Sequence, residues 1–188
     1  MKAIVLLSGG ADSRLLLRRI ANVNGPKNTL ALFCDYGQLM PEKAAARVAA
    51  HHEGTPFLCK SFPYTPPSHL TDVYHQGNPH TTEKVPESWV PGRNLMLASI
   101  ALSIGEAMGA DAIYFGFNAE DAESYPDCSH EFMEHINHLS TKCTGRRMAV
   151  SAPFINQPKA AILAELEKEG LTEEDYISGY PETRLADD

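Results

Sequence analysis

Apolar positions along the chain fall into two alternating rhythms. Residues 3–7 (Ala-Ile-Val-Leu-Leu) run apolar without interruption and include the β-branched pair Ile4 and Val5, the pattern of a strand covered on both faces. Leu15, Leu16, Leu17 and Ile20 give 13–23 a helical stripe, closed by Asn24-Gly25-Pro26. A second strand over 29–34 ends at Asp35-Tyr36-Gly37. A helix over 41–52 follows, with Pro41 at its start and Ala44, Ala45, Val48 and Ala49 at helical spacing. Glu53-Gly54 stops it before a short third strand over 56–59. Strands alternating with helices of this length predict βαβ units on a parallel sheet with right-handed crossovers.

That rhythm lapses over 61–90, a stretch rich in proline and histidine with no sustained period. A loop this long is usually functional or mobile, and 61–92 is read as a flap over the site. Order returns at Pro91-Gly92-Arg93-Asn94. Residues 95–108 are apolar nearly all round, as in a buried helix. A fourth strand over 112–117 ends in Asn118-Ala-Glu-Asp121, and a polar loop containing Tyr125-Pro-Asp-Cys128 leads to a helix over 131–141. A fifth strand is expected at 148–150, and a last helix over 158–169 between Pro158 and Gly170, with an irregular tail over 171–188. With no internal repeat and no linker, residues 1–188 are expected to form a single domain.

Composition narrows the class. No apolar run approaches the roughly 20 residues of a membrane span, and the N-terminal run is too short for a signal peptide. A cytoplasmic protein without a membrane partner is expected. A net charge of −8 argues against a surface that binds nucleic acid directly, which needs clustered Lys and Arg. The acidic runs near the end (165–169, 173–175, 187–188) read as a solvated face and tail. Cys34, Cys59, Cys128 and Cys143 have neither disulfide-scaffold nor zinc-ribbon spacing.

The candidate chemistry begins at Ser8-Gly-Gly-Ala-Asp-Ser13. Strand, glycine turn and helix start bring backbone N–H groups and a helix N-terminus together, a geometry suited to an anion. The loop lacks the lysine of GxxxxGK[ST] and is not GxGxxG. In an open parallel sheet, ligands bind beyond the carboxyl ends of the strands. Those ends are 8–13, 35–38, the flap and 118–127, and they gather Asp12, Asp35, Glu120, Asp121 and Asp127 near the loop. Magnesium suits such a cluster, since it takes one or two carboxylates together with phosphate oxygens. Each aspartate alone reads more readily as a turn or cap residue, whereas for Arg93 an ordinary ion pair before a helix is the lesser alternative. His130, His135 and His138 read as surface histidines rather than a metal site.

Ser8-Gly-Gly-Ala-Asp-Ser13 resembles the SGGxDS loop of the N-type ATP pyrophosphatases, which split ATP between its α and β phosphates. Asp35-Tyr-Gly-Gln38, Val90-Pro-Gly-Arg-Asn94, Gly116-Phe-Asn-Ala-Glu-Asp121 and Tyr125-Pro-Asp-Cys128 follow in order, with Ala152-Pro153 and Lys159 extending the match. Over roughly residues 2–165 the chain is similar to the 7-cyano-7-deazaguanine synthase family. The resemblance implies an α/β, Rossmann-like (adenine nucleotide alpha hydrolase-like) three-layer sandwich with a parallel sheet. It also implies a ligase using ATP and magnesium, with 7-carboxy-7-deazaguanine and ammonia as substrates, and a homodimeric assembly. In that chemistry the carboxylate is adenylated and ammonia displaces AMP to give an amide. A second ATP activates the amide oxygen, and loss of AMP leaves the nitrile.

Carried over residue by residue, the resemblance puts Ser8, Asp12, Ser13, Arg93 and Asp121 in the chemistry. Leu7, Ser8, Gly9, Gly10, Asp12, Ser13, Asp35, Tyr36, Gln38, Arg93, Asn94, Asn118, Glu120, Tyr125, Asp127 and Lys159 fall in the binding of nucleotide or substrate. Asp12, Asp121 and Asp127 fall at the metal. The loop amides of Gly9 and Gly10 and the hydroxyls of Ser8 and Ser13 hold pyrophosphate in this reading, and Arg93 suits bidentate contact with phosphate or carboxylate. Two departures stand out. Leu39-Met40 replaces the family's Arg-His, and residues 170–188 contain no cysteine where the family has a four-cysteine zinc site, so zinc is not expected. Two other readings remain open: a relative that stops at the amide or transfers the activated deazaguanine to another amine, and a non-catalytic nucleotide- or deazaguanine-binding module.

Overall fold

The computed structural model describes residues 1–38, 41–61 and 89–177. Among the described residues five strands, β1 (Ala3–Leu6), β2 (Thr29–Asp35), β3 (Phe57–Ser61), β4 (Ala112–Tyr114) and β5 (Ala149–Ser151), form one sheet in the order β3-β2-β1-β4-β5. Every pairing is parallel, with Ala3 opposite Thr29 on one side and Ala112 on the other. The helices are α1 (Ala11–Asn24), α2 (Glu42–His52), α3 (Arg93–Met108), α4 (Ala119–Ser124), α5 (His130–Cys143) and α6 (Lys159–Lys168).

Side-chain alternation along the strands divides the core in two. Ile4, Leu6, Leu30, Leu32, Ile113 and Phe115 face α3 and α5, where Ala98, Ala101, Leu102, Met133 and Ile136 cover them. Val5, Leu7, Ala31 and Phe33 face the other way, onto Leu15–Leu17 of α1, Ala46, Ala49 and Ala50 of α2, and Ile162 and Leu166 of α6. β1 is therefore buried on both faces, which is why its sequence is continuously apolar rather than alternating. The result is the expected three-layer sandwich.

Strand order reverses at β1, which has β2 on one side and β4 on the other. A crevice opens there at the carboxyl ends of β1 and β4, the usual ligand position in such sheets.

Several boundaries shift from the sequence reading. α1 starts at Ala11 rather than 13, so Asp12 lies in its first turn and Gly10 is the N-cap, without a side-chain cap hydrogen bond. β4 ends at Tyr114, although Phe115 N still donates to Ser151 O at 2.9 Å. β5 lies one residue later than expected. Part of the stretch read as polar loop is α4, closed at its start by a capping box: Asn118 Oδ1 accepts from Asp121 N (2.8 Å) and Asp121 Oδ2 from Asn118 N (3.2 Å). A six-residue polar helix has no apolar stripe to reveal it. The flap read at 61–92, apart from its ends, lies outside the described residues, as do Leu39-Met40 and the tail from 178 onward. Among the described residues no helix is long and apolar enough to cross a membrane.

Candidate active site

The phosphate-type loop follows β1 directly and is cross-linked by its own hydroxyls. Ser13 Oγ donates to Gly10 O (2.9 Å) and lies 3.1 Å from Ser8 Oγ, while Ser8 N donates to Ser13 Oγ (3.2 Å) and Gly10 N to Ser8 Oγ (3.3 Å). The first N–H groups of α1 have no acceptor within the helix. Two glycines are needed here for steric reasons. Gly9 has φ +89°, and a Cβ on it would lie 2.7 Å from the Glu42 carbonyl oxygen of α2. Gly116, just past β4, lies so close to α1 that a Cβ would come within 3.1 Å of Ser13 N.

A polar cluster from three distant parts of the chain stands at the loop. Asp12 Oδ1 accepts from Asn118 Nδ2 (3.3 Å), and its other oxygen pairs with Lys159 Nζ. Lys159 opens α6, and its backbone N–H donates to both oxygens of Glu120 (3.1 and 3.0 Å). Glu120 thus joins the start of α6 to α4, while Lys159 reaches back to α1. Burial pushes the Asp121 carboxyl above the usual aspartate range. The Asn118 N–H bond opposes the shift, the Asp12 carboxylate adds to it, and Lys159 and Arg93 oppose it.

Across the crevice stand Tyr36, Gln38, Glu42 and Arg93, all lining the same cavity. Burial raises the Tyr36 hydroxyl, and Arg93 opposes that rise. Glu42 is buried, and burial lifts its carboxyl against the opposing Gln38 side chain and Arg93 guanidinium. Gln38 folds back on its own turn, accepting from Tyr36 N (2.8 Å) and donating to Cys34 O (3.2 Å). Tyr125 stacks on Trp89 with the rings 12° apart in plane.

The cavity between these groups has a volume of about 530 Å³, within the range of ligand pockets. Its floor is apolar, with Leu6, Leu32, Leu97, Phe115 and Phe117. Of the residues proposed from sequence, Leu7, Ser8, Gly10, Asp12, Ser13, Tyr36, Gln38, Arg93, Asn94, Asn118, Glu120, Asp121, Tyr125 and Lys159 line it. Three are placed elsewhere. Gly9 lies behind the loop under α2. Asp35 turns to Lys43 Nζ (3.2 Å) and Gly37 N (3.2 Å). Asp127 accepts from Asn94 N (3.1 Å), a carboxylate at the N-terminus of α3, and its Oδ1 is buried without a hydrogen-bond partner.

Glu42, Cys34, Cys128 and Ile177 line the cavity without having been proposed as site residues, although Cys128 closes the Tyr125-Pro-Asp-Cys128 motif. Cys34 is held protonated, its thiol pushed up to about 12 chiefly by burial. Cys128 is likewise raised, and its Sγ accepts from Asn94 Nδ2 (3.2 Å). Glu42 has a local signal, a carboxylate four residues beyond Gln38 in the first turn of a helix; Ile177 has none.

The family model described as Queuosine biosynthesis protein QueC matches residues 2–187. The chain belongs to the QueC family. It is 38% identical to 7-cyano-7-deazaguanine synthase of Methanospirillum hungatei, over 99% of this chain and 88% of that protein. It is also 38% identical to the enzyme of the same name from Ralstonia pickettii, over 86% of this chain and 76% of that one. This QueC-family chain is accordingly an enzyme of the ATP-dependent ligase type. A solved structure, the U34-tRNA thiolase NcsA from Methanococcus maripaludis with its 4Fe-4S cluster, superposes with a TM-score of 0.63 at 16% identity. The match covers 98% of this chain and 62% of that one, and the likeness is one of fold.

Proposed function

We propose that this chain converts 7-carboxy-7-deazaguanine and ammonia to 7-cyano-7-deazaguanine, splitting two ATP to AMP and pyrophosphate. The observation that carries the reading is the meeting of the Ser8–Ser13 loop with Asp12, Asn118, Asp121 and Lys159 in one cavity beyond β1 and β4. In the first half-reaction a substrate carboxylate oxygen attacks the α-phosphorus, and pyrophosphate leaves toward the loop N–H groups and the Ser8 and Ser13 hydroxyls. Ammonia then adds at the acyl carbon, AMP departs and a proton is lost, giving the amide. In the second, the amide oxygen attacks a new α-phosphorus. Loss of AMP and of both nitrogen-bound protons from that adduct leaves the nitrile. Both halves use the same loop, so the amide needs only to stay bound or rebind.

Lys159 and Arg93 both line the cavity and both act on Asp121, placing positive charge suited to phosphate oxygens as charge develops on the leaving group. The residues also fit a magnesium ion. Asp121 is a carboxyl raised by burial and by a neighbouring carboxylate, so its ionised form is one that a divalent cation stabilises. Asp12 and Asp121 would hold that ion, which when bound neutralises charge on the pyrophosphate leaving group. The Phe115, Phe117 and Leu97 floor excludes water from an adenylate that hydrolysis would waste.

The test is incubation with 7-carboxy-7-deazaguanine, ATP, magnesium and ammonium, followed by mass analysis over time. Nitrile with two AMP per product is expected. Amide that accumulates and is not converted by fresh ATP overturns the nitrile reading in favour of a truncated reaction. No AMP at all overturns the ligase reading in favour of a binding module.

A further inference from the structure

The segment after α6 returns to the phosphate loop. It leaves α6 through Gly170 (φ +71°), buries Leu171 and closes a turn in which Asp175 Oδ2 accepts from Thr172 N at 2.9 Å. Two further contacts hold it on the α1/α2 side: Arg18 Nη1 donates to Glu169 O (2.9 Å), and Asp175 lies 3.6 Å from His52 Nδ1. Tyr176 packs on the cluster around Leu15 and Phe33. Ile177 then forms a parallel bridge with Gly10, its N–H donating to Gly9 O at 2.9 Å, and it stands in the cavity wall.

That hydrogen bond falls on the one peptide of the loop flanked by two glycines. A trans peptide is planar, so its C=O and N–H point in opposite directions. Holding the Gly9 carbonyl outward therefore holds the Gly10 N–H inward, where it meets Ser8 Oγ at 3.3 Å. Glycine's wide conformational freedom makes a Gly-Gly peptide easy to turn over. A flipped peptide would present a carbonyl oxygen, instead of an N–H, to an incoming phosphate.

We propose that the Ile177 backbone N–H is a positioning group of the phosphate loop: by gripping Gly9 O it keeps the Gly9–Gly10 peptide in its anion-binding orientation. This rests on the reading of Ser8–Ser13 as the pyrophosphate site. Residues 169–177 form a strap, tied to α1 at Glu169, to α2 at Asp175 and to the loop at Ile177. Its sequence needs little of the Ile177 side chain and much of its amide.

The test compares ATP with AMP, because only ATP carries the β and γ phosphates that the loop would hold. Binding of each, with magnesium, is measured by calorimetry on the full chain and on Ile177→Pro, which removes the N–H, and Ile177→Ala, which keeps it. Wild type is expected to prefer ATP. Ile177→Pro is expected to lose about five- to tenfold of that preference, the effect of one backbone hydrogen bond, with AMP affinity held. Ile177→Ala should keep the wild-type preference. Unchanged preference in Ile177→Pro overturns the strap, and so does an equal loss in Ile177→Ala. No preference in wild type overturns instead the pyrophosphate reading beneath it. If Ile177→Pro does not fold, the chain carrying the α-hydroxy acid analogue of isoleucine at 177 replaces N–H by oxygen with the side chain intact. It must show the same loss, and an unchanged preference there overturns the strap.

Discussion

Alanine at Gly9 and alanine at Gly10 are the same change in the same loop, yet the structure separates their effects. Gly9 has φ +89°, where an L-residue costs roughly 1–2 kcal/mol. Its new Cβ would also meet Glu42 O at 2.7 Å and Ala45 Cβ at 3.3 Å, so the start of α2 must move. Overpacking of this kind costs roughly 1–3 kcal/mol. With about 3 kcal/mol from both sources, and about 2–4 °C per kcal/mol in a domain of this size, Gly9→Ala should melt at least about 6 °C below wild type. Gly10 has φ −81°, and its Cβ would find only Ser8 Oγ, at 3.5 Å. Its cost is that of alanine for glycine at an N-cap, about 1 kcal/mol or less. The methyl instead enters the cavity where a phosphate would approach the loop N–H groups. Gly10→Ala should therefore lose about tenfold or more in pyrophosphate release, the scale of one obstructed oxyanion donor or less, while melting within about 4 °C of wild type. Thermal melts and a coupled pyrophosphate assay on the two variants decide the matter. If Gly9→Ala melts with wild type, or Gly10→Ala is the less stable of the two, the steric reasoning is refuted.

Lys159→Met should lower pyrophosphate release by about a hundredfold, as expected for a charge acting on the leaving group. Because the lost ion pair is partly exposed, its stability cost should be only about 1 kcal/mol. Retention of near-wild-type turnover by that variant would remove Lys159 from the chemistry. Asp121 makes a pH prediction in the metal-free protein. Its folded carboxyl is raised above its unfolded value, so ionised Asp121 disfavours the fold at neutral pH, and that penalty fades as pH falls through the raised value toward the ordinary one. Asp121→Asn should thus be more stable than wild type near neutrality, with the gap narrowing on acidification; denaturant melts that show a constant or widening gap contradict the assignment. The cysteines and histidines of the chain supply no four-ligand set with zinc-site spacing, so purified protein should carry substoichiometric zinc. Stoichiometric zinc whose removal unfolds the chain would contradict this.

Much of this protein was legible one residue at a time. Continuous apolar runs at 3–7 and 29–34 reveal strands with both faces covered, because burial on both sides leaves no polar position to break the run. The Ser-Gly-Gly turn shows where β1 gives way to α1, and the polar bunching after β4 marks the other wall of the crevice. These are local consequences of burial and backbone sterics, written within ten residues of where they act. Local signals misplaced what depends on partners. α4 reads as loop because its stability comes from the Asn118–Asp121 capping box and not from an apolar stripe. Asp35 and Asp127 look equivalent to Asp12 and Asp121 in the sequence. Only the packed fold turns the first pair toward Lys43 and the α3 N-terminus, and the second pair into the crevice. Tertiary structure alone decided that Lys159 meets Asp12 across 147 positions, that Glu42 faces Arg93, and that the Ile177 amide holds the Gly9 carbonyl. The reason is physical: a periodic pattern records which side of an element is buried, but a contact between distant elements depends on sheet order and the return path of the chain. Neither leaves a mark on the residues that meet.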